Sequence, residues 1–305
     1  MKKGPLLVFS CYIIWGICPI YWKLLTEVSP YYILINRLFW SFIFSLMLAL
    51  YMREHKSFLK AFRDKSERIK LFLASLFCVV NWGSYIIAVN TNHIVDASLA
   101  YFLCPILSIF IAAFFFHERL SSLQWIGVIL AFLGVLISIV AYGHVPWLAL
   151  IIGGTFSIYG AIQKKCRTTG VAALTLEMMY LLPVSFFFMI WMPYTHRAGS
   201  MSMFEWWLLP TTGIITAVPL VLFAIGIVDT DYSLSGILMY INPTLQLLVG
   251  VFIYGEKITQ AQCCTFICVW LGLICYLTSI FFKYKKERRL KRLSLEMADI
   301  GSKAK

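Results

Sequence analysis

Residues 97–120 read ASLAYFLCPILSIFIAAFFFHERL, and residues 235–258 read SGILMYINPTLQLLVGVFIYGEKI. At a constant offset of 138, Pro105 meets Pro243, Leu107 meets Leu245, Phe114 meets Phe252 and Glu118 meets Glu256. Arg119 then meets Lys257, Gln124 meets Gln262 and Gly134 meets Gly272. Each stretch is an apolar run with a proline near its middle and an acidic–basic–apolar triplet at its end. One coincidence carries little weight, but this combination marks an internal repeat. A second correspondence sets Trp15-Gly16 against Tyr159-Gly160.

Both stretches are long enough to cross a bilayer. A hydrocarbon core of about 30 Å needs roughly 20 apolar residues at a rise of about 1.5 Å each. Such runs occupy 6–25, 31–52, 70–90, 94–116, 122–141, 146–163, 172–193, 206–228, 232–254 and 261–282. The pattern predicts an all-α integral membrane protein of ten transmembrane helices. Composition agrees, with 61% hydrophobic residues, 13% charged residues and a mean hydropathy of +0.82. That leaves too little polar surface to cover a water-soluble domain of this length. A secretory signal would have a shorter core and a small-residue cleavage site, so the first run is read as a retained helix.

Loop charge orients the spans. With the amino terminus inside, 22 Lys and Arg residues fall in inside segments and three, Lys23, Arg197 and Lys257, fall outside. Both termini are therefore expected in the cytoplasm. The net charge of +12 is concentrated in these loops and in the tail, which argues against nucleic-acid binding. Five spans per half is an odd number, so the second half must enter the membrane inverted. The expected organisation is a first five-helix repeat over 1–141, a second, inverted one over 142–282, and a basic cytoplasmic tail over 283–305. The tail either adsorbs to anionic lipid or simply enforces the orientation.

Polar residues inside spans are the candidate functional groups. Arg37 sits within the second span, where a charge costs about 2.5–3.5 kcal/mol on insertion scales. It either faces a cavity or partner, or snorkels to the nearby interface. Glu177 occupies the equivalent place in the seventh span. It could bind a cationic solute, carry a coupling proton or anchor at the headgroups. Pro105 and Pro243 disturb the bonds to the Tyr101 and Met239 carbonyls, a device of carrier binding sites and also of simple packing kinks. Asn81, Trp82, Tyr85, Asn242 and Gln246, with Trp15, Tyr101, Tyr159 and Tyr240, would make an aromatic, amide-bearing pocket for an amphiphilic small molecule. The nine Cys form no CxxC pair and no ligand cluster, so neither a metal nor another cofactor is expected. No GxxxxGK[ST] motif is present, so the chain carries no P-loop ATPase.

These residues resemble the drug/metabolite transporter superfamily, and within it the EamA-type RarD branch, over about residues 5 to 282. The resemblance is carried by Tyr12, Trp15-Gly16, Pro19 and Tyr21, by Arg37 with Trp40-Ser41, and by Asn81-Trp82. It continues through Ala97-Ser98-Leu99, Tyr101-Phe102, Pro105 and Glu118-Arg119. The second half adds Lys164-Lys165, Glu177, Leu182-Pro183, Pro219-Leu220, Tyr240-Ile241-Asn242-Pro243 and Gly255-Glu256-Lys257. Ala100, Cys104 and Asp96 depart from the pattern, where Gly, Asn and Glu are usual. The resemblance implies a ten-helix carrier of the bacterial inner membrane with a central cavity. The expected function is secondary transport of a small organic metabolite or drug-like solute by alternating access, with solute and membrane lipids as partners and a homodimer left open. The alternatives are a membrane enzyme, for which His93, Asp96, Asp229 and Asp231 are the candidates, and a non-transporting sensor or scaffold.

Overall fold

The computed structural model describes residues 3–90, 94–143, 147–168, 170–255 and 259–303, and each of the ten runs lies on helix. In chain order the elements are α1 (Lys3–Trp22), α2 (Pro30–Tyr51), α3 (His55–Arg63), α4 (Lys65–Asn90), α5 (Ile94–Phe115), α6 (Ser122–Tyr142) and α7 (Trp147–Lys165). There follow α8 (Gly170–Tyr194), α9 (Met203–Leu208), α10 (Thr211–Val228), α11 (Tyr232–Leu238), α12 (Ile241–Leu248) and α13 (Gln260–Lys303). Among the described residues, seven helical segments are long and apolar enough to cross a membrane. The other three expected spans fall on α4, α5 and α7, of which α5 holds a shorter apolar stretch, Ala100–Phe115.

Three features differ from a simple ten-span chain. The basic segment after α2 folds into α3, whose Ala61 is buried beside Leu71, Cys166 and Leu176 while Leu59 and Phe62 are exposed. Nine residues are too short to span, but an apolar face backed by lysines suits the membrane interface. The eighth run divides into α9 and α10, with α9 opened by a reciprocal Ser202–Glu205 capping box. The tail expected after 282 is helical, because α13 continues for 44 residues. At about 1.5 Å per residue such a helix is about 66 Å long, twice the hydrocarbon core.

The two mid-span prolines behave differently. α5 runs unbroken through Pro105. The helix bearing Pro243 breaks at Met239-Tyr240, and the freed Met239 carbonyl accepts the Asn242 N–H at 3.0 Å. α12 then widens into a π turn over Val249–Ile253.

Lipid supplies no hydrophobic drive between helices, so close packing at small residues does much of the work. α6 and α13 cross where Gly127 faces Gly272, and a Cβ built on either would stand 2.5–2.6 Å from the other's carbonyl oxygen. One further contact, at Gly134, receives the Thr265 hydroxyl on its carbonyl at 2.8 Å. Thr265 lies 138 residues after Gly127, and Gly272 lies 138 after Gly134. The same offset relates the Ser121–Gln124 capping pair to the Thr259–Gln262 pair, each with reciprocal hydrogen bonds of 2.8–3.3 Å. α2 packs on α8, while α1 lies against α10 and α12 as α7 lies against α4 and α5.

The end of the bundle where α1 begins also holds the α7–α8 turn. Glu67 accepts from the Arg167 and Thr168 N–H groups at 2.8 and 3.0 Å and pairs with Lys70 at 2.7 Å. Burial opposes its charge, but these donors prevail and hold the carboxyl below its usual range. Gly127→Val is expected to lower stability by about 1–3 kcal/mol through forced separation of α6 and α13. Gly83→Ala, where an added Cβ meets nothing within 4 Å, is expected to leave it unchanged. Thermal unfolding of the two variants in detergent checks the contrast, and equal losses would sink the packing account.

Candidate functional site

One face of α1 carries Tyr12, Trp15, Pro19 and Trp22, spaced by three and four residues as a helical stripe requires. This stripe faces a cavity of roughly 160 Å³ in the half of the bundle away from the start of α1. α2 contributes Arg37, α4 contributes Asn81, Trp82 and Tyr85, and α5 contributes Tyr101 and Cys104. Phe156 comes from α7 and Ile215 from α10, with Asn242 and Gln246 from α12. Of the candidates read from sequence, Trp15, Arg37, Asn81, Trp82, Tyr85, Tyr101, Asn242 and Gln246 are thus brought together.

Tyr159, Glu177 and Tyr240 are not in the lining. Tyr159 stacks on Phe223 at 6.1 Å, within the ring layer below the cavity. The Tyr240 hydroxyl donates to the Phe102 carbonyl at 3.3 Å, tying the broken helix to α5. Glu177 is fully buried on α8, where its carboxylate accepts from the Gln163 amide and, at 3.4 Å, from the Tyr159 hydroxyl. Inversion puts Glu177 and Arg37 at different depths, and the two repeat-equivalent charges do not share the cavity. Pro105 and Pro243 lie beside lining residues Cys104 and Asn242 without lining the cavity themselves. His93, Glu256 and Lys257 lie outside the described residues, as does the Asp96 side chain.

The geometry explains why an arginine is tolerated here. Its guanidinium carbon sits 4.7 Å from the Trp22 ring centre and 4.3 Å from that of Trp82. Its Nε–H donates to the Thr216 hydroxyl at 3.1 Å. Two indole faces contribute about 0.5–2 kcal/mol each, enough with the hydrogen bond to offset an insertion cost of about 3 kcal/mol. Among the described residues no carboxylate pairs with Arg37, since the one ion pair there is Lys70–Glu67. Nearby amides are already oriented. Asn81 donates to the Ile152 carbonyl at 2.7 Å, and Gln246 donates to the Asn242 oxygen at 2.7 Å.

The floor is aromatic. Trp15 meets Tyr12 at 5.9 Å, Phe156 at 5.5 Å and Phe223 at 6.2 Å. Two repeat-equivalent glycines let the helices close around it. A Cβ on Gly16 would lie 2.6 Å from the Leu245 Cβ, and one on Gly160 would lie 2.6 Å from the Tyr232 hydroxyl. That hydroxyl donates to the Ser157 carbonyl, and the Ser157 hydroxyl lies 3.0 Å from the Cys104 carbonyl.

Below the rings, the turn between α10 and α11 is sealed by charge. Glu118 accepts the Tyr232 N–H at 2.6 Å and the Ser233 N–H at 3.0 Å, placing an anion at the start of α11. Lys164 donates to the Thr230 and Ile227 carbonyls, placing a cation at the end of α10. Phe116 lies between these groups, 5.4 Å from the Tyr232 ring and 5.7 Å from the Lys164 ammonium. The cavity is therefore closed toward the end where α1 begins.

The profile of the EamA-like transporter family matches residues 2–140 and again residues 145–278. The chain belongs to the EamA-like transporter family, in the RarD branch of the drug/metabolite transporters. It is 35% identical to the uncharacterised transporter YojE of Bacillus subtilis, over 90% of this chain and 93% of that one. It is 34% identical to protein RarD of Escherichia coli, over 93% of this chain and 97% of that one. A solved crystal structure at 18% identity superposes with a TM-score of 0.70, covering 90% of this chain and 97% of that chain, which fixes the fold alone. With its apolar helices, membership in this bacterial transporter family makes the protein a multi-pass membrane protein.

Within this EamA-type fold, Glu177 lies outside the cavity lining. Glu177→Leu leaves Gln163 and Tyr159 without their acceptor and is expected to cost about 1–3 kcal/mol of stability. Glu177→Gln, which keeps an acceptor, is expected to cost less. Unfolding midpoints of the two variants decide this, and a destabilised Gln variant beside a stable Leu variant would contradict it.

Proposed function

We propose that the protein is a secondary carrier that moves a small organic solute across the bacterial cytoplasmic membrane by alternating access. The observation that carries the reading is the cavity itself. It is lined from α1, α2, α4 and α5 of the first half and from α7, α10 and α12 of the second, and it is closed at one end only by packed rings and capped helix termini. Ten membrane crossings in two inverted halves, 1–141 and 142–282, fit the two separate family matches. In an inverted pair, the seal at one end has a counterpart at the other, so closing one while opening the other requires no new structure. The excess of Lys and Arg in alternate loops supports a cytoplasmic location for the sealed end and both termini, and on that reading this is an outward-facing form. The absence of a P-loop motif from the sequence leaves solute or ion gradients to drive transport.

Purified protein in liposomes is expected to show saturable uptake or counterflow of at least one member of a broad metabolite library, with or without a proton gradient. Leakage-level flux for every member would overturn the carrier reading. Glu118→Gln removes the anion at the start of α11 and is expected to raise the population open to the cytoplasm. The readout is maleimide labelling of the buried Cys11 in a background with the other cysteines replaced. Labelling of Cys11 several-fold faster than in the parent supports the seal, and an unchanged rate rejects it.

A further inference from the structure

Deepening the carrier reading on which it rests, we propose that the cavity selects an organic monocarboxylate. The carboxylate sits on the Arg37 guanidinium, and an apolar body of about one ring packs against Trp15 and Phe156. The first ground is charge. Among the described residues, Arg37 is the one Lys, Arg, Asp or Glu side chain in the lining, and its hydrogen bonds reach only the Thr216 hydroxyl, through Nε–H. A guanidinium has five N–H donors in a fixed fork, and the terminal pair matches the two oxygens of a carboxylate. Trp22 and Trp82 hold its faces, so the donors in its plane are what remains for a ligand. A cationic solute would meet an uncompensated positive charge, and a neutral one would leave it unneutralised.

The second ground is that Glu177 and Glu118 are committed elsewhere. Glu177 is buried against Gln163 and Tyr159, and Glu118 is bound to the start of α11. Neither lines the cavity to neutralise Arg37. A single fixed charge fits a monoanion better than a dianion such as phosphate. The third ground is size and wall chemistry. A cavity of roughly 160 Å³ is comparable to the space of about 150 Å³ that admits a benzene ring. Trp15 and Phe156 meet edge to face at 5.5 Å, presenting apolar surface beneath the arginine.

The test uses the full chain in neutral detergent and in nanodiscs of zwitterionic lipid, without a gradient. Phenylacetate, phenylacetamide, phenethylamine and inorganic phosphate are titrated, with tryptophan fluorescence and the unfolding midpoint as readouts. Phenylacetate is expected to bind saturably and about tenfold more tightly than the amide, with no saturable binding of the amine or phosphate. Arg37→Gln is expected to erase the preference for carboxylate over amide while leaving amide binding in place. Thr216→Val, which removes the bond aiming the guanidinium but keeps its charge, is expected to weaken carboxylate binding selectively. That variant keeps the test open should Arg37→Gln not fold. Equal or tighter binding of amide, amine or phosphate, no saturable binding by phenylacetate, or a preference that survives Arg37→Gln or is unmoved by Thr216→Val overturns the proposal. Binding at equilibrium needs no transport, so a carrier failure appears separately, as intact binding without exchange in liposomes.

Discussion

Helices in lipid gain little from burying apolar side chains against one another, so this bundle depends on how closely its backbones can approach. Glycine sets that distance at the places that matter. Gly127 and Gly272 bring α6 and α13 into backbone contact, while Gly16 and Gly160 bring α1 and α7 against α12 and Tyr232. Gly213 lies as close to the Trp40 backbone, joining α10 to α2. Larger residues at Gly16 or Gly213 would separate helices whose facing sides form the cavity. Helix packing and cavity shape are therefore one property.

The second organising rule is that charge is bound to helix termini where the bundle closes and left uncompensated where it opens. At the closed end, carboxylates and ammonium groups sit on helix termini, where they satisfy backbone groups that lipid could not. Glu118 and Lys164 do this on either side of one turn, and Glu67 does it between α4 and the α7–α8 turn. In the cavity, Arg37 is held by π-faces and a hydroxyl, which supply attraction without cancelling its charge. An ion pair there would have been electrically silent.

Much of this was legible before any coordinates. Hydropathy located ten helical stretches, and the 138-residue offset named the Gln124–Gln262 pair that caps two helices and the Gly134–Gly272 pair at the α6–α13 crossing. Trp15, Arg37, Asn81, Trp82 and Asn242 were readable as cavity residues because polar and aromatic groups at mid-span have few other uses. Tyr12, Pro19 and Trp22 were missed, although they extend the helical stripe through Trp15. The role of Glu177 stayed open in the sequence because position along a span says nothing of which neighbour satisfies the group. Its partner Gln163, one turn beyond Tyr159, is a tertiary fact that no spacing encodes. α3 was invisible for the opposite reason, since its lysines mask a short apolar face.

Ser157 has a consequence of its own. Its carbonyl holds Tyr232 from the closing layer, while its hydroxyl touches Cys104, a wall of the cavity, and the carbonyl of Gly153 one turn above. Load applied at the wall thus reaches the seal across a single turn of helix, about 5.4 Å, rather than through the length of the bundle. A mechanism with so short a linkage has little slack. A side chain wedged at Gly153 would act on the closing layer as directly as one placed in it.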